Sequence, residues 1–244
     1  MYGSRVRISE ESQSTLSSVG SEHLVYTERV GSSSLSGCTF KFFSYICIMK
    51  ELILERVTNT LVDFQIDEGS EQRTVGDLIE YQIKQIIMGL KDSNLVRECL
   101  EPRSKKSIED VTLIGVDNIT NYIDTKTHDV DSEFSMPNLT SVEKIRKLLL
   151  DDSKSLIYVF VSYKKENNIV TIQKIQVKYI WEIDFSILRI GSLGKGQLQI
   201  SDMNKELVFT EEGKVSWFEK LKSKVREYHQ DRINQIEKDK LSWL

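Results

Sequence analysis

Two aspartates and a lysine stand in a pattern able to hold a hard cation beside a phosphate. Asp110 opens the apolar stretch Val111 to Val116, and Asp124-Thr125-Lys126 lies inside Tyr122 to Thr127. Both stretches read as strands, parted by the polar turn Asp117-Asn118. Side chains alternate faces along a strand, so Asp124 and Lys126 point one way and Thr125 the other. A hairpin brings Asp110 beside Asp124. Two converging carboxylates, with the Thr125 carbonyl as a further oxygen, suit Mg²⁺, with Mn²⁺ as a substitute. Such a cation neutralises a phosphate and acidifies water. Lys126 is then placed to orient that water and to stabilise the developing charge. The chemistry is in-line hydrolysis of a phosphodiester, leaving a 5′-phosphate and a 3′-hydroxyl.

By itself an Asp-x-Lys triplet on a strand is a solvated charge pair in most proteins. Glu80, on the preceding helix, either leans into the same site as a further carboxylate or is an exposed helix charge. His128 has no nucleophile with a suitable partner, so it reads as a polar loop or substrate-facing residue rather than a catalytic one.

The elements that must position these residues follow from periodicity. A helix begins at Met49 (Leu52, Ile53, Val57, Leu61), followed by the polar break Asp67-Glu68-Gly69-Ser70. Thr74 reads as the N-cap of a second helix, with Ile79, Ile83 and Ile87 on one stripe. The basic loop Arg103-Ser104-Lys105-Lys106 leads into the two strands. A helix from Ser141 to Leu150 follows. Leu156 to Tyr163 is an apolar, β-branched and aromatic run, as expected of a buried central strand. Ile169 to Ile183 adds strand, Gln197 to Ile200 adds a short one, and a charged helix runs from about Lys214. The expected fold class is α/β, a mixed central β-sheet flanked by helices.

Composition narrows the choice. At 244 residues and 39% hydrophobic the chain can build a sizeable core. No run reaches the ~18 apolar residues of a membrane helix. Three cysteines show neither metal-ligand spacing nor a disulfide framework, which points to a reducing, cytoplasmic home. The net charge of −4 weighs against purely electrostatic nucleic-acid binding, though not against binding through shape and base contacts. Residues 1–48 are Ser-rich and lack periodicity. They read as an extension that is flexible or lies upstream of a natural start at Met49, with residues 49–244 as the functional domain.

The motif's surroundings resemble Type II restriction endonucleases of the PD-(D/E)xK superfamily, EcoRV-like branch, and are most similar to the HincII and HpaI enzymes. The likeness runs through blocks in matching order: Val75-Gly76-Asp77-Leu78-Ile79-Glu80, Ser107 to Val111, Tyr122 to Thr127, Met136 to Ser141, and Ser192 to Ile200. It implies the restriction-endonuclease-like sheet and a catalytic set of Asp110, Asp124, Lys126 and Glu80. The metal ligands it implies are Asp110, Asp124 and Thr125. The proline of the "PD" pair is replaced by Glu109, and Asp110 is preferred as the ligand from its position against Val111.

The resemblance also implies DNA-binding residues: Thr127, Ser135, Asn138, Gly194, Lys195, Gly196, Gln197 and Gln199. The glycines would let backbone approach DNA, Lys195 would meet phosphate or guanine, and Gln197 and Gln199 would read adenine. Read from the residues alone, the Gly194 to Gln199 stretch is an ordinary hairpin turn, and Asn138 is a helix cap. Of the C-terminal helix's cations (Lys220, Lys222, Lys224, Arg226, Arg232), most form a solvated face and a few meet DNA phosphates. The implied activity is Mg²⁺-dependent, sequence-specific cutting of a palindromic duplex by a bacterial cytoplasmic homodimer. Blunt ends and a cognate DNA methyltransferase in the same host are implied with it. The other readings are a repair or junction-resolving nuclease, and a non-catalytic DNA-binding protein.

Overall fold

The computed structural model describes residues 36–69, 71–104, 107–132, 138–191, 196–202 and 205–242, the side chains of 36–47, 72 and 242 excepted. The expected extension, residues 1–48, lies almost wholly outside the residues described in full. Helix α1 (Ser36–Thr60) starts earlier than Met49 and buries Met49, Ile53, Val57 and Leu61 at helical spacing. Helix α2 (Gln72–Met88) buries Val75, Ile79, Ile83 and Ile87 on one stripe. Its N-cap is Glu71, without a side-chain cap bond, rather than Thr74.

The main sheet is built around one apolar run. The run expected from Leu156 to Tyr163 is the middle of β6 (Lys154–Glu166), with Leu156 to Val161 all buried. A buried backbone must have its N–H and C=O groups paired, so the strand needs a neighbour along each edge. These are β4 (Thr120–Asp129), parallel to it, and β7 (Ile169–Tyr179), antiparallel. A parallel pair needs a crossover. Helix α3 (Val142–Leu149) lies within that connection and buries Val142, Ile145, Leu148 and Leu149. On the far side of β4 come β3 (Val111–Gly115) and β2 (Val96–Leu100), and β1 (Phe64–Gln65) edges β7.

A second, antiparallel sheet sets β9 (Gln197–Ile200) between β5 (Asn138–Ser141) and β8 (Leu188–Gly191). Helix α4 (Gly213–Ser242) is anchored by buried Trp217, whose Nε1–H donates to the Ile183 carbonyl at 2.7 Å. The fold is thus the mixed α/β class expected, a mixed sheet flanked by helices. Among the described residues no helix is long and apolar enough to cross a membrane.

Candidate active site

Asp124 and Lys126 share a face of β4, and the Lys126 ammonium stands 2.6 Å from Asp124 Oδ2. Both are recessed: their side chains are 10% and 19% exposed. Among the described residues Oδ2 takes no other donor. Beneath them lies fully buried Tyr158, the register partner of Asp124 on β6. Burial pushes the Asp124 carboxyl up to about 7; Lys126 opposes that rise, and the negative charges of Asp110 and Glu80 add to it.

Asp110 enters at the end of a ladder. The β3–β4 pairing runs out at Val111 opposite Ile123, and the Asp110 N–H donates to the Ile123 carbonyl at 2.8 Å. Beyond it, β4 has no strand partner on that side among the described residues. The Asp110 carboxylate fills the gap, accepting from the Thr125 N–H at 2.7 Å. A strand residue directs its N–H and C=O toward the same neighbour. The Thr125 carbonyl therefore faces the Asp110 side too.

Glu109 is drawn elsewhere. Its carboxylate accepts from the Ile108 N–H at 2.9 Å and borders a cavity of about 690 Å³ between β3, β4 and α3. Arg103, Lys144, Lys147 and Lys154 line the same cavity.

Glu80 comes from α2. At Gly76, one turn earlier, an added Cβ would lie 2.8 Å from Thr127 Oγ1, so only glycine lets the helix seat this closely on β4. Glu80 is half-buried, and its carboxyl is raised to about 7 by burial first and by Asp110 next, against the pull of Lys126. Three carboxylates thus act electrostatically on one another and on a single ammonium, an imbalance that a cation would relieve. No group of three or more His, Cys, Asp or Glu side chains among the described residues is gathered tightly enough to hold a metal unaided. Mg²⁺ needs no such cage, since one or two carboxylates, waters and substrate phosphate suffice. Asp110, Asp124 and the Thr125 carbonyl fit that demand.

No family model and no curated protein matches the chain. Among solved structures it is similar to the NlaIV restriction endonuclease, with a TM-score of 0.43 and 12% identity over 75% of this chain and 88% of that one. At that level of similarity the chain's own geometry has to carry the functional reading.

The residues expected to meet DNA fare unevenly. Ser135, Gly194 and Lys195 lie outside the described residues. Thr127, expected at the DNA, lies against Gly76 of α2. Gly196 is buried with φ +100°, and a Cβ there would press on Ile190 and touch Tyr228 and Val142. His128, expected as a polar loop or substrate-facing residue, is a buried residue of β4.

Asn138 does not cap α3. It is an exposed residue of β5, and Ser141 caps the helix by accepting from the Lys144 N–H at 3.3 Å. Gln197 is half-buried on β9, and Gln199 is buried with its amide already engaged. Each end of the Gln199 amide thus holds one side-chain partner, Arg189 at the oxygen and Asn138 at the nitrogen. On α4, Lys220, Lys222 and Lys224 pair with Glu212, Glu219 and Glu227, as a solvated face would. Sequence reasoning missed Tyr158, which reads as one more aromatic of a core strand. It also missed Arg189, which lies on the unrecognised strand β8.

Proposed function

We propose that the chain is a Mg²⁺-dependent DNA endonuclease of the PD-(D/E)xK type, acting as a Type II restriction enzyme. One observation carries this reading. The Asp110 carboxylate is tied to the Thr125 N–H, beside the Asp124–Lys126 pair and within electrostatic reach of Glu80. A structural ion pair has no need of two more carboxylates, and their mutual repulsion costs stability unless a cation is held there. The sequence resemblance to EcoRV-like restriction enzymes supports the same reading.

Each residue has a task. Asp110 and Asp124 bind the cation, with the Thr125 carbonyl as a third oxygen. Bound there, Mg²⁺ supplies charge neutralisation at the scissile phosphate and acidifies water. Lys126, recessed and fixed by Asp124, orients the attacking water and stabilises the charge that develops on the phosphate. Glu80 shares its proton-holding range with Asp124 and accepts hydrogen bonds from water at the rim of the site. The substrate is duplex DNA, cut at a palindromic site by a homodimer, because two-fold protein symmetry matches two-fold DNA symmetry. Blunt ends, a bacterial cytoplasmic setting and a cognate methyltransferase belong to the same reading.

Phage and plasmid DNA incubated with the protein and Mg²⁺ test it. Discrete, reproducible fragments are expected. Cutting confined to branched or damaged DNA would replace restriction with repair, and binding without cutting under any divalent metal would remove the enzyme.

A further inference from the structure

The small sheet carries a row of polar side chains that the catalytic cluster does not use. Register sets Arg189 opposite Gln199, and Gln199 opposite Asn138, so one face of three neighbouring strands presents all three. Arginine only donates hydrogen bonds. Its Nε–H reaches Gln199 Oε1 at 3.0 Å, so the amide oxygen of Gln199 is spent on that side. The amide NH₂ of Gln199 must then face Asn138, and it donates to Asn138 Oδ1. That leaves the Asn138 NH₂ pointing away from the row. The arginine therefore fixes the polarity of both amides, independently of how amide oxygen and nitrogen are told apart.

Packing holds the row in place. Gln199 is buried, whereas Arg189 and Asn138 are exposed at either end. A Cβ on Gly191 would collide with the Gln199 amide, so glycine there opens the path the amide takes. Leu188, Ile190 and Leu198 border a small hollow beside α4, which Arg189 lines together with Glu227 and Asp231 of that helix.

We infer that Arg189 and Asn138 read the acceptor edge of purines in the major groove, guanine at Arg189, with Gln199 as the positioning residue between them. This rests on the reading of the chain as a sequence-specific DNA endonuclease. Both free ends offer donors only. Guanine O6 and N7 accept, as does adenine N7, whereas the cytosine amino group donates and is refused. A phosphate contact tolerates a loose side chain. A buried amide locking two exposed donors at fixed spacing is what base readout requires.

The test uses the full chain carrying Lys126→Ala, so that binding is scored with Mg²⁺ present and without cutting. Duplexes bound from a random library are sequenced, and thermal unfolding verifies the fold of each further variant. The expected site contains a guanine whose preference falls about ten- to a hundredfold on adding Arg189→Ala, with other positions unchanged. Asn138→Asp, which turns an acceptor outward, is expected to move its own position toward cytosine. Gln199→Glu keeps the acceptor for Arg189 but offers Asn138 an acceptor in place of a donor, so the Asn138 amide should turn its carbonyl outward and only that position should move toward cytosine. A uniform loss across all sequences on Arg189→Ala, with a shallower salt dependence, would make Arg189 a phosphate contact and overturn the inference. An unchanged preference would overturn it equally. If the Lys126→Ala protein enriches no sequence at all, the parent reading of a sequence-specific enzyme fails and takes this inference with it.

Discussion

Asp110 Oδ2 accepts a 2.7 Å hydrogen bond from the backbone N–H of Thr125. A side chain thereby occupies the place on β4 that the backbone of β3 vacates one residue earlier. This bond fixes which oxygen of Asp110 stays free to turn toward Asp124, and it holds the Thr125 carbonyl on the same side.

Asp110→Asn keeps an acceptor for that N–H and removes the charge. Cleavage should fall by at least about a hundredfold, since a ligand is lost, while urea unfolding changes little. Asp110→Ala should lose activity and also about 1–3 kcal/mol of stability, because the Thr125 N–H is left unpaired. Equal unfolding curves for the two variants would argue against the bond.

The raised carboxyls of Glu80 and Asp124 give stability a definite pH dependence. Each binds its proton more tightly folded than unfolded. The stability this contributes is complete below the usual carboxylate range near 4 and is lost as pH rises through about 7. Without divalent metal, the wild-type melting temperature should therefore decline between pH 5 and 8, in the range that lies around these values. Glu80→Gln should lessen that decline, so that the variant gains on the wild type as pH rises. A wild-type advantage that grows with pH would contradict the repulsive cluster.

Gly76 tests how Glu80 is placed. In a helix, Gly→Ala ordinarily gains about 0.5–1 kcal/mol. Here the new Cβ meets Thr127 Oγ1, so overpacking costing about 1–3 kcal/mol should win. Gly76→Ala is expected to lower both stability and cleavage, and adding Thr127→Ala to restore a good part of each. Additive losses in the double variant would show that the two residues do not press on one another.

Much of this site is readable from the chain, because alternation along a strand is a local property. Asp124 and Lys126 fall on one face by that alternation, and Leu156 to Tyr163 reads as a central strand because its apolar run is unbroken. The partner of a strand is not local. That β4 pairs in parallel with β6 depends on the crossover carrying α3, and nothing within Tyr122 to Thr127 signals it. Glu109 and Asp110 are adjacent carboxylates, and only the Ile108 and Thr125 N–H groups decide which one turns inward. Strand β8 is four residues long and escaped notice, and Arg189 with it. A DNA approach at Gly196 is implied only by the resemblance, and its contacts with Ile190 and Val142 depend on elements distant in the chain.

Lys126 bears most directly on the whole reading. Wild type and Lys126→Ala, incubated side by side with phage DNA with and without Mg²⁺, should differ completely. Discrete fragments are expected only from the wild type with Mg²⁺, while the variant still binds the same DNA. Full cleavage by Lys126→Ala, or cutting by the wild type that ignores divalent metal, would contradict the assignment of this cluster as the active site.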